Sequence, residues 1–152
     1  MKNKLTTILR WVCACTIGAA GLAADNKIRA QQLVGEVMAA HPGLLTAGMH
    51  CVPPGREKQS IIASTLNVIG KPSDPEDILR GSTTISPNLK VPKLGIMLPL
   101  HDRAGKEIGS LGLAFKYQAS DDQVKYLAEA TAIRDRVAQQ IPVLASLFDP
   151  AP

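Results

Sequence analysis

The segment Leu94 to Tyr117, LGIMLPLHDRAGKEIGSLGLAFKY, alternates bulky and small positions on both sides of a single turn. Leu94, Ile96, Leu98 and Leu100 are interleaved with Gly95, Met97 and Pro99; after the turn, Leu111, Leu113 and Phe115 are interleaved with Gly112 and Ala114. A period of two predicts two strands, each with one bulky face and one nearly bare face. Between them, Asp102-Arg103-Ala104-Gly105 supplies an acidic residue to open a type I turn and a glycine able to take positive φ, so the strands are predicted to pair as an antiparallel hairpin.

Elsewhere the period changes. Ile28, Ala30, Leu33, Val34, Val37 and Met38 recur at helical spacing and predict a helix capped by Asp25, running to about Ala40 and ended by His41-Pro42-Gly43. A strand follows over Leu44 to Cys51, then the turn-forming VPPGREKQ, then a strand over Ser60 to Asn67 built on Ile61, Ile62 and Leu66. In IGKPSDPEDILRG, Ser73 or Asp74 can cap, Pro75 suits a first turn, and Glu76 and Asp77 complement a helix N-terminus, which predicts a helix of about two turns ending at Gly81. The polar, proline-containing STTISPNLKVPK reads as an irregular strand or loop. From Ser120 or Asp121 a long helix is predicted with Val124, Leu127, Ala128, Val137, Ala138 and Ile141 on its apolar rows, ended or kinked by Pro142, with VLASLF as a short packed continuation. Strands joined by hairpins, with helices before and after, predict an α+β domain: an antiparallel sheet with flanking N- and C-terminal helices on one side.

Composition changes this picture mainly at the N-terminus. Lys2, Lys4 and Arg10 precede an apolar stretch from Trp11 to Leu22, and Gly21 and Ala23 offer small residues for cleavage before Ala24. This is the form of a secretory signal, with an apolar core of about ten residues, half of what a membrane span needs. Residues 1–23 are therefore expected to be a signal peptide and 25–148 a single domain, periplasmic or secreted. An uncleaved anchor, or a membrane-anchored lipoprotein acylated on Cys15, is the alternative. With Lys2, Arg10 and Lys4 set aside, the 17 Lys and Arg fall to 14, against 13 Asp and Glu, so the remainder is nearly neutral and offers no basic cluster for nucleic acid. Cys13 and Cys15 fall in the same segment, which leaves Cys51 without an intramolecular disulfide partner. Stability must come from packing, in a core of Leu, Ile, Val and Ala.

The segments IIAST...IGKPSDPEDI and LPLHDRAGKEIGSLGLAF together resemble the single Cache/PAS-like extracytoplasmic sensor domains, in which corresponding motifs follow the second strand and form the last hairpin. That resemblance implies a five-stranded antiparallel sheet holding a small molecule between its concave face and the connecting loops or short helix. No second membrane span and no kinase, cyclase or chemoreceptor module follows, so a membrane signalling protein would have to carry any signal onward.

Candidate chemistry is sparse. His41, His50 and His101 could supply metal or haem ligands together with Cys51 and Met49, but their spacing matches no metal motif. Strand alternation puts His50 and Cys51 on opposite faces, so at most one of them enters a pocket. Cys51 reads as a small buried residue rather than a nucleophile. Asp74, Glu76 and Asp77 are accounted for by capping and lack the spacing of a calcium loop. Gly70-Lys71 before a helix could receive an anionic group, and Arg56 and Lys58 could touch a ligand from the Pro-Gly loop. Gly109 and Gly112 read as permitting curvature or close approach on the second hairpin strand. No nucleophile elbow, phosphate loop or His-Glu-x-x-His helix is present, so the chain is expected not to be an enzyme. The expected function is an exported small-molecule-binding, sensor-like module with no catalytic or output domain and no cofactor or metal, its unidentified ligand touched by His50, Arg56, Asn67 and Lys71. The rival readings are a haem- or metal-binding periplasmic protein using His50 with His41 or His101, and a structural or interaction protein with a degenerate pocket.

Overall fold

In the computed structural model, residues 27–73 and 81–152 are described. Their elements, in order, are α1 (Arg29–Ala40), β1 (Leu44–Cys51), β2 (Ser60–Ser64), β3 (Thr84–Asn88), β4 (Lys93–His101), β5 (Glu107–Lys116), α2 (Gln123–Gln139) and a 3₁₀ helix (Leu144–Phe148). The five strands form one antiparallel sheet in the order β2-β1-β5-β4-β3. The α+β class, the antiparallel sheet and the flanking helices therefore stand as the hydrophobic pattern predicted, and the sheet has the five strands that the resemblance implied.

The β4–β5 hairpin forms around the predicted turn. Asp102 Oδ1 accepts from the amides of Ala104 and Lys106, each at 3.0 Å, and Gly105 takes φ +86°. This Asx geometry replaces backbone partners that the turn cannot supply. The amide of Arg103 donates to the carbonyl of Ile141, which docks the turn on the end of the second helix region.

Alternation also decides where the core sits. Leu94, Ile96, Leu98 and Leu100 of β4 and Leu111, Leu113 and Phe115 of β5 are buried on one face, together with Ala47 and Met49 of β1. Leu33, Val34 and Val37 of α1 and Ile133 and Val137 of α2 cover that face, and Leu147 of the 3₁₀ helix completes the cluster. Fully burying each such aliphatic side chain contributes about 1.5–3 kcal/mol of transfer free energy, and chain entropy offsets most of the sum.

Several boundaries differ from expectation for identifiable reasons. Asp25 and the predicted helix of Asp74 to Arg80 lie outside the described residues, as does the predicted signal segment. Ile28 occupies the N-cap of α1 with no side-chain cap; the helix start is tied down instead by Arg29 N to Asp149 O at 2.8 Å and by an Ile28–Pro150 bridge, with Ala151 N donating to Lys27 O at 2.7 Å. β2 stops at Ser64 rather than Asn67, because Ser64 Oγ accepts from Leu66 N at 3.0 Å and the chain turns back. Thr84–Asn88 pairs with β4 over five positions and is a regular edge strand despite Pro87. Asp122, not Ser120 or Asp121, caps α2 by accepting from Val124 N at 2.9 Å. Val124 and Ala128 are exposed, whereas Val137, Ala138 and Ile141 are buried as predicted and Ala130 and Ile133 complete the apolar stripe. The helix ends before Pro142, as predicted.

Candidate functional site

The sheet face away from the helices is built from the small residues of the same alternation. Strand register stacks these into rows that cross the sheet. One row runs Ser64, Gly48, Gly112, Met97, Thr84, and the next runs Thr46, Ala114, Gly95, Ser86. A third brings Ile61, His50, Ser110 and Pro99 together. Above them lies a cavity of about 500 Å³, within the range of small-molecule sites.

One wall of the cavity comes from the chain after β2. Thr65 N donates to Ala47 O, Ile61 N to Lys71 O and Gly70 N to Ile61 O, so residues 65–71 fold back beside the strand. Gly70 takes φ +82°, a left-handed conformation that glycine adopts without a side-chain clash. Leu66 and Val68 project into the cavity from this segment. The side-chain amide of Gln31 on α1 pairs with the backbone of Ser64, donating to its carbonyl at 3.0 Å and accepting from its amide at 2.9 Å. It thereby satisfies the end of the edge strand and pins the wall to the helical layer.

His50 is the sequence-predicted site residue that lines this cavity. Its Nδ1 lies 2.8 Å from Ser73 Oγ. Its Nε2 lies beside Gly48, whose floor it shares with Ser64 Oγ. The backbone at His50 is held from behind by Gly109. There, with φ +155°, a Cβ would run into the His50 carbonyl oxygen. This is the close approach expected of Gly109, and it coincides with the bulge at Ile108.

The other three predicted ligand residues stand elsewhere. Arg56 lies on the rim of a separate hollow of about 720 Å³ under the Pro53–Ser60 loop, and Lys71 falls between Gly70 and Pro72, which border that same hollow. Both side chains are exposed. Asn67 is exposed between the two wall residues Leu66 and Val68, and does not line the cavity. Residues missing from the prediction are the hydroxyls of Thr46, Ser64, Thr84 and Ser86 and the wall pair. The alternation of Thr46, Gly48 and His50 against Ala47, Met49 and Cys51 marks the first of these in the sequence.

Cys51 faces the core, 2% exposed, as strand alternation predicted when it separated this thiol from His50. Burial pushes its pKa from 9.0 to about 11, so the neutral thiol is the resident form at neutral pH. The histidines are not gathered. His41 Nε2 lies 2.8 Å from Arg136 Nη2, and its Nδ1 lies 3.7 Å from Glu129, between the two helices and across the sheet from His50. Among the described residues no group of three His, Cys, Asp or Glu side chains is placed to hold a metal ion.

No family model matches the chain, and no curated protein matches it. Among solved structures it is similar to the type II free methionine-R-sulfoxide reductase from Thermoplasma acidophilum, with a TM-score of 0.50, 16% identity, and coverage of 78% of this chain and 92% of that one. These findings overturn the resemblance to Cache/PAS-like sensors. The physical reason lies in the motifs that carried it: the hairpin residues are accounted for by turn and packing geometry common to many sheets, and Asp74 to Ile78 of the other motif lie outside the described residues. The expectation that the chain is not an enzyme is overturned as well, because the solved structure it resembles is that of a reductase. At this identity the likeness carries the fold alone. The missing motifs do not set catalysis aside, since one fold hosts many chemistries.

Proposed function

We propose that this chain is a small-molecule-binding domain whose PAS/GAF-like sheet receives its ligand in the cavity over Gly48 and Gly112, with export directed by the Lys2 to Ala23 segment. One observation carries the reading: at Gly95 the floor is bare where neither backbone conformation nor internal packing requires it, whereas a Cβ at Gly48 would press on the Ala63 carbonyl at 3.2 Å and one at Gly112 on the Met97 side chain at 3.0 Å. Gly48, Gly95 and Gly112 are not among the positive-φ glycines, and a Cβ at Gly95 would meet only Ser86, at ordinary contact distances of 3.7 and 3.9 Å. A glycine inside a strand costs about 0.5–1 kcal/mol relative to alanine, and such positions recur where a ligand approaches the backbone. His50 and the hydroxyls of Thr46, Ser64, Thr84 and Ser86 add polar contacts to a lining that includes Ile61, Leu66, Val68 and Met97, which is the usual mixture for recognition of a small organic molecule.

If a sulfoxide were reduced here by a cysteine of this chain, a thiolate would have to stand at the substrate. Cys51, the one free cysteine among the described residues, sits on the opposite face of the sheet with its proton held. Ligand binding is therefore the reading that this geometry favours.

Thermal unfolding of the full chain across a broad metabolite panel tests it. A ligand present at a hundred times its Kd stabilises the native state by about 2.7 kcal/mol, and the corresponding rise in Tm is expected to vanish in an Ala114→Trp variant that fills the cavity. If no compound raises Tm, or if the rise survives in the filled variant, the cavity is not the binding site.

A further inference from the structure

We propose that the molecule bound in this cavity is a flat, conjugated ring system carrying hydrogen-bonding groups on two opposite edges; this rests on the ligand-binding reading above and specifies the class of ligand. The inference follows from what the register places side by side. Gly48 and Gly112 are direct partners on β1 and β5, and Ala114 and Gly95 are direct partners on β5 and β4, one row along. Four neighbouring positions over three strands thus carry nothing larger than a methyl group. With strands about 4.8 Å apart and rows about 7 Å apart, the bare area has the extent of a fused bicyclic ring laid face down. A puckered or branched molecule would touch such a floor at a few points only.

Both rows end in hydroxyls. Ser64 and Thr84 terminate the first, Thr46 and Ser86 the second, so donors and acceptors stand on the β2/β1 side and again on the β3 side of an apolar floor. Each hydroxyl can donate one hydrogen bond and accept others. This arrangement serves a ligand whose polar groups lie in the plane of its ring, at its two edges.

Met97 supplies the cover. A Cβ at Gly112 would stand 3.0 Å from Met97 Cε and 3.3 Å from its Sδ, so the thioether now lies across the floor. Methionine is unbranched and its sulfur packs well against aromatic rings. On binding, Met97 leaves Gly112 and flanks the ring. The contrast with Gly109 sharpens the point, since Gly109 is required by the chain itself, whereas a Cβ at Gly95 would make only ordinary contacts with Ser86 and one at Gly112 would press only on the flexible end of Met97.

The test uses 2,6-dihydroxynaphthalene and its fully saturated counterpart, decahydronaphthalene-2,6-diol, titrated into the full chain and followed by NMR. The expected result is at least tenfold tighter binding of the flat compound, with ring-current shifts at the amides of Gly48, Gly95 and Gly112 and displacement of the Met97 methyl signal. Gly95→Leu and, independently, Ala114→Leu should each abolish those shifts while the remaining spectrum reports a folded domain. Equal affinity for the two diols, or shifts confined to other surfaces, overturns the flat-ring proposal. A non-planar metabolite that raises Tm in the panel and perturbs the same glycine amides overturns it too, while leaving the ligand-binding reading intact. If neither the panel nor the diols bind, the ligand-binding reading itself fails. Sedimentation showing this face closed by a second copy that excludes both diols also counts against the proposal.

Discussion

The two faces of the sheet are made from the same strands and differ in almost every physical respect. On one, Leu94, Ile96, Leu98 and Leu100 meet Leu111, Leu113 and Phe115 under two helices, with side chains that are buried and interlocked. On the other, Gly95, Met97, Gly112 and Ala114 leave a cavity. The difference teaches that a single alternating pattern can place a packed core on one set of alternate positions and a cavity floor on the other. It also separates two kinds of glycine. Gly109 is glycine because the chain passes too close for any side chain, and Gly95 is glycine although the chain would accept one.

The most severe way to break this contrast is Gly109→Ala. Its Cβ would collide with the His50 carbonyl at φ +155°, and a loss on the order of 4 kcal/mol is expected in urea unfolding. A loss below about 1 kcal/mol would show that the strands there can separate freely. Next comes a pair of neighbours on β4. Leu98→Ala opens a void under the helices and should cost about 3 kcal/mol, while Met97→Ala, on the cavity side, should cost under about 1 kcal/mol. Comparable losses for both would erase the distinction between the faces.

A subtler measurement uses pH. Because burial raises the Cys51 pKa from 9.0 to about 11, the folded state holds its proton where the unfolded chain releases it. The stability associated with the protonated thiol is therefore fully present below pH 9 and is lost as pH rises toward 11, by about 2–3 kcal/mol in total. Denaturant titrations at pH 8 and pH 10.5 should show this decline, and Cys51→Ala should remove that part of it. An unchanged slope in the variant would mean that the thiol is solvated. The smallest effect is expected for Gly95→Ala, a change of stability within about 0.5 kcal/mol and in the stabilising direction. A clear destabilisation would mean that the bare floor serves packing after all.

The hairpin was legible in the sequence because alternation and turn chemistry act over a few residues. Asp102 and Gly105 specify their turn without help from distant parts of the chain. The same locality let His50 and Cys51 be assigned to opposite faces. Thr84–Asn88 was less legible, since an exposed edge strand with Pro87 carries little apolar signal and is held in the sheet by β4. On α2, Val137 and Ala138 were legible, but Val124 and Ala128 sit at plausible spacing and yet are exposed, because the helix turns Ala130 and Ile133 inward instead. Arg56, Asn67 and Lys71 lie away from the His50 cavity for a related reason. They lie in connections whose inward side is decided by long-range backbone pairing, such as Ile61 with Lys71, and this pairing presents Leu66 and Val68 to the cavity. The Cache/PAS resemblance failed because its motifs describe how a hairpin is built, a problem many unrelated sheets solve alike.

The bridge between Ile28 and Pro150, with its flanking hydrogen bonds from Arg29 to Asp149 and from Ala151 to Lys27, brings the start of α1 and the last residues of the chain to one corner. Tension applied between those two ends would therefore fall first on that short clasp, which opens like a zipper, one hydrogen bond at a time. The sheet would bear load only after the clasp had parted. Mechanically, the domain hangs from that corner as a pendant for as long as the clasp holds.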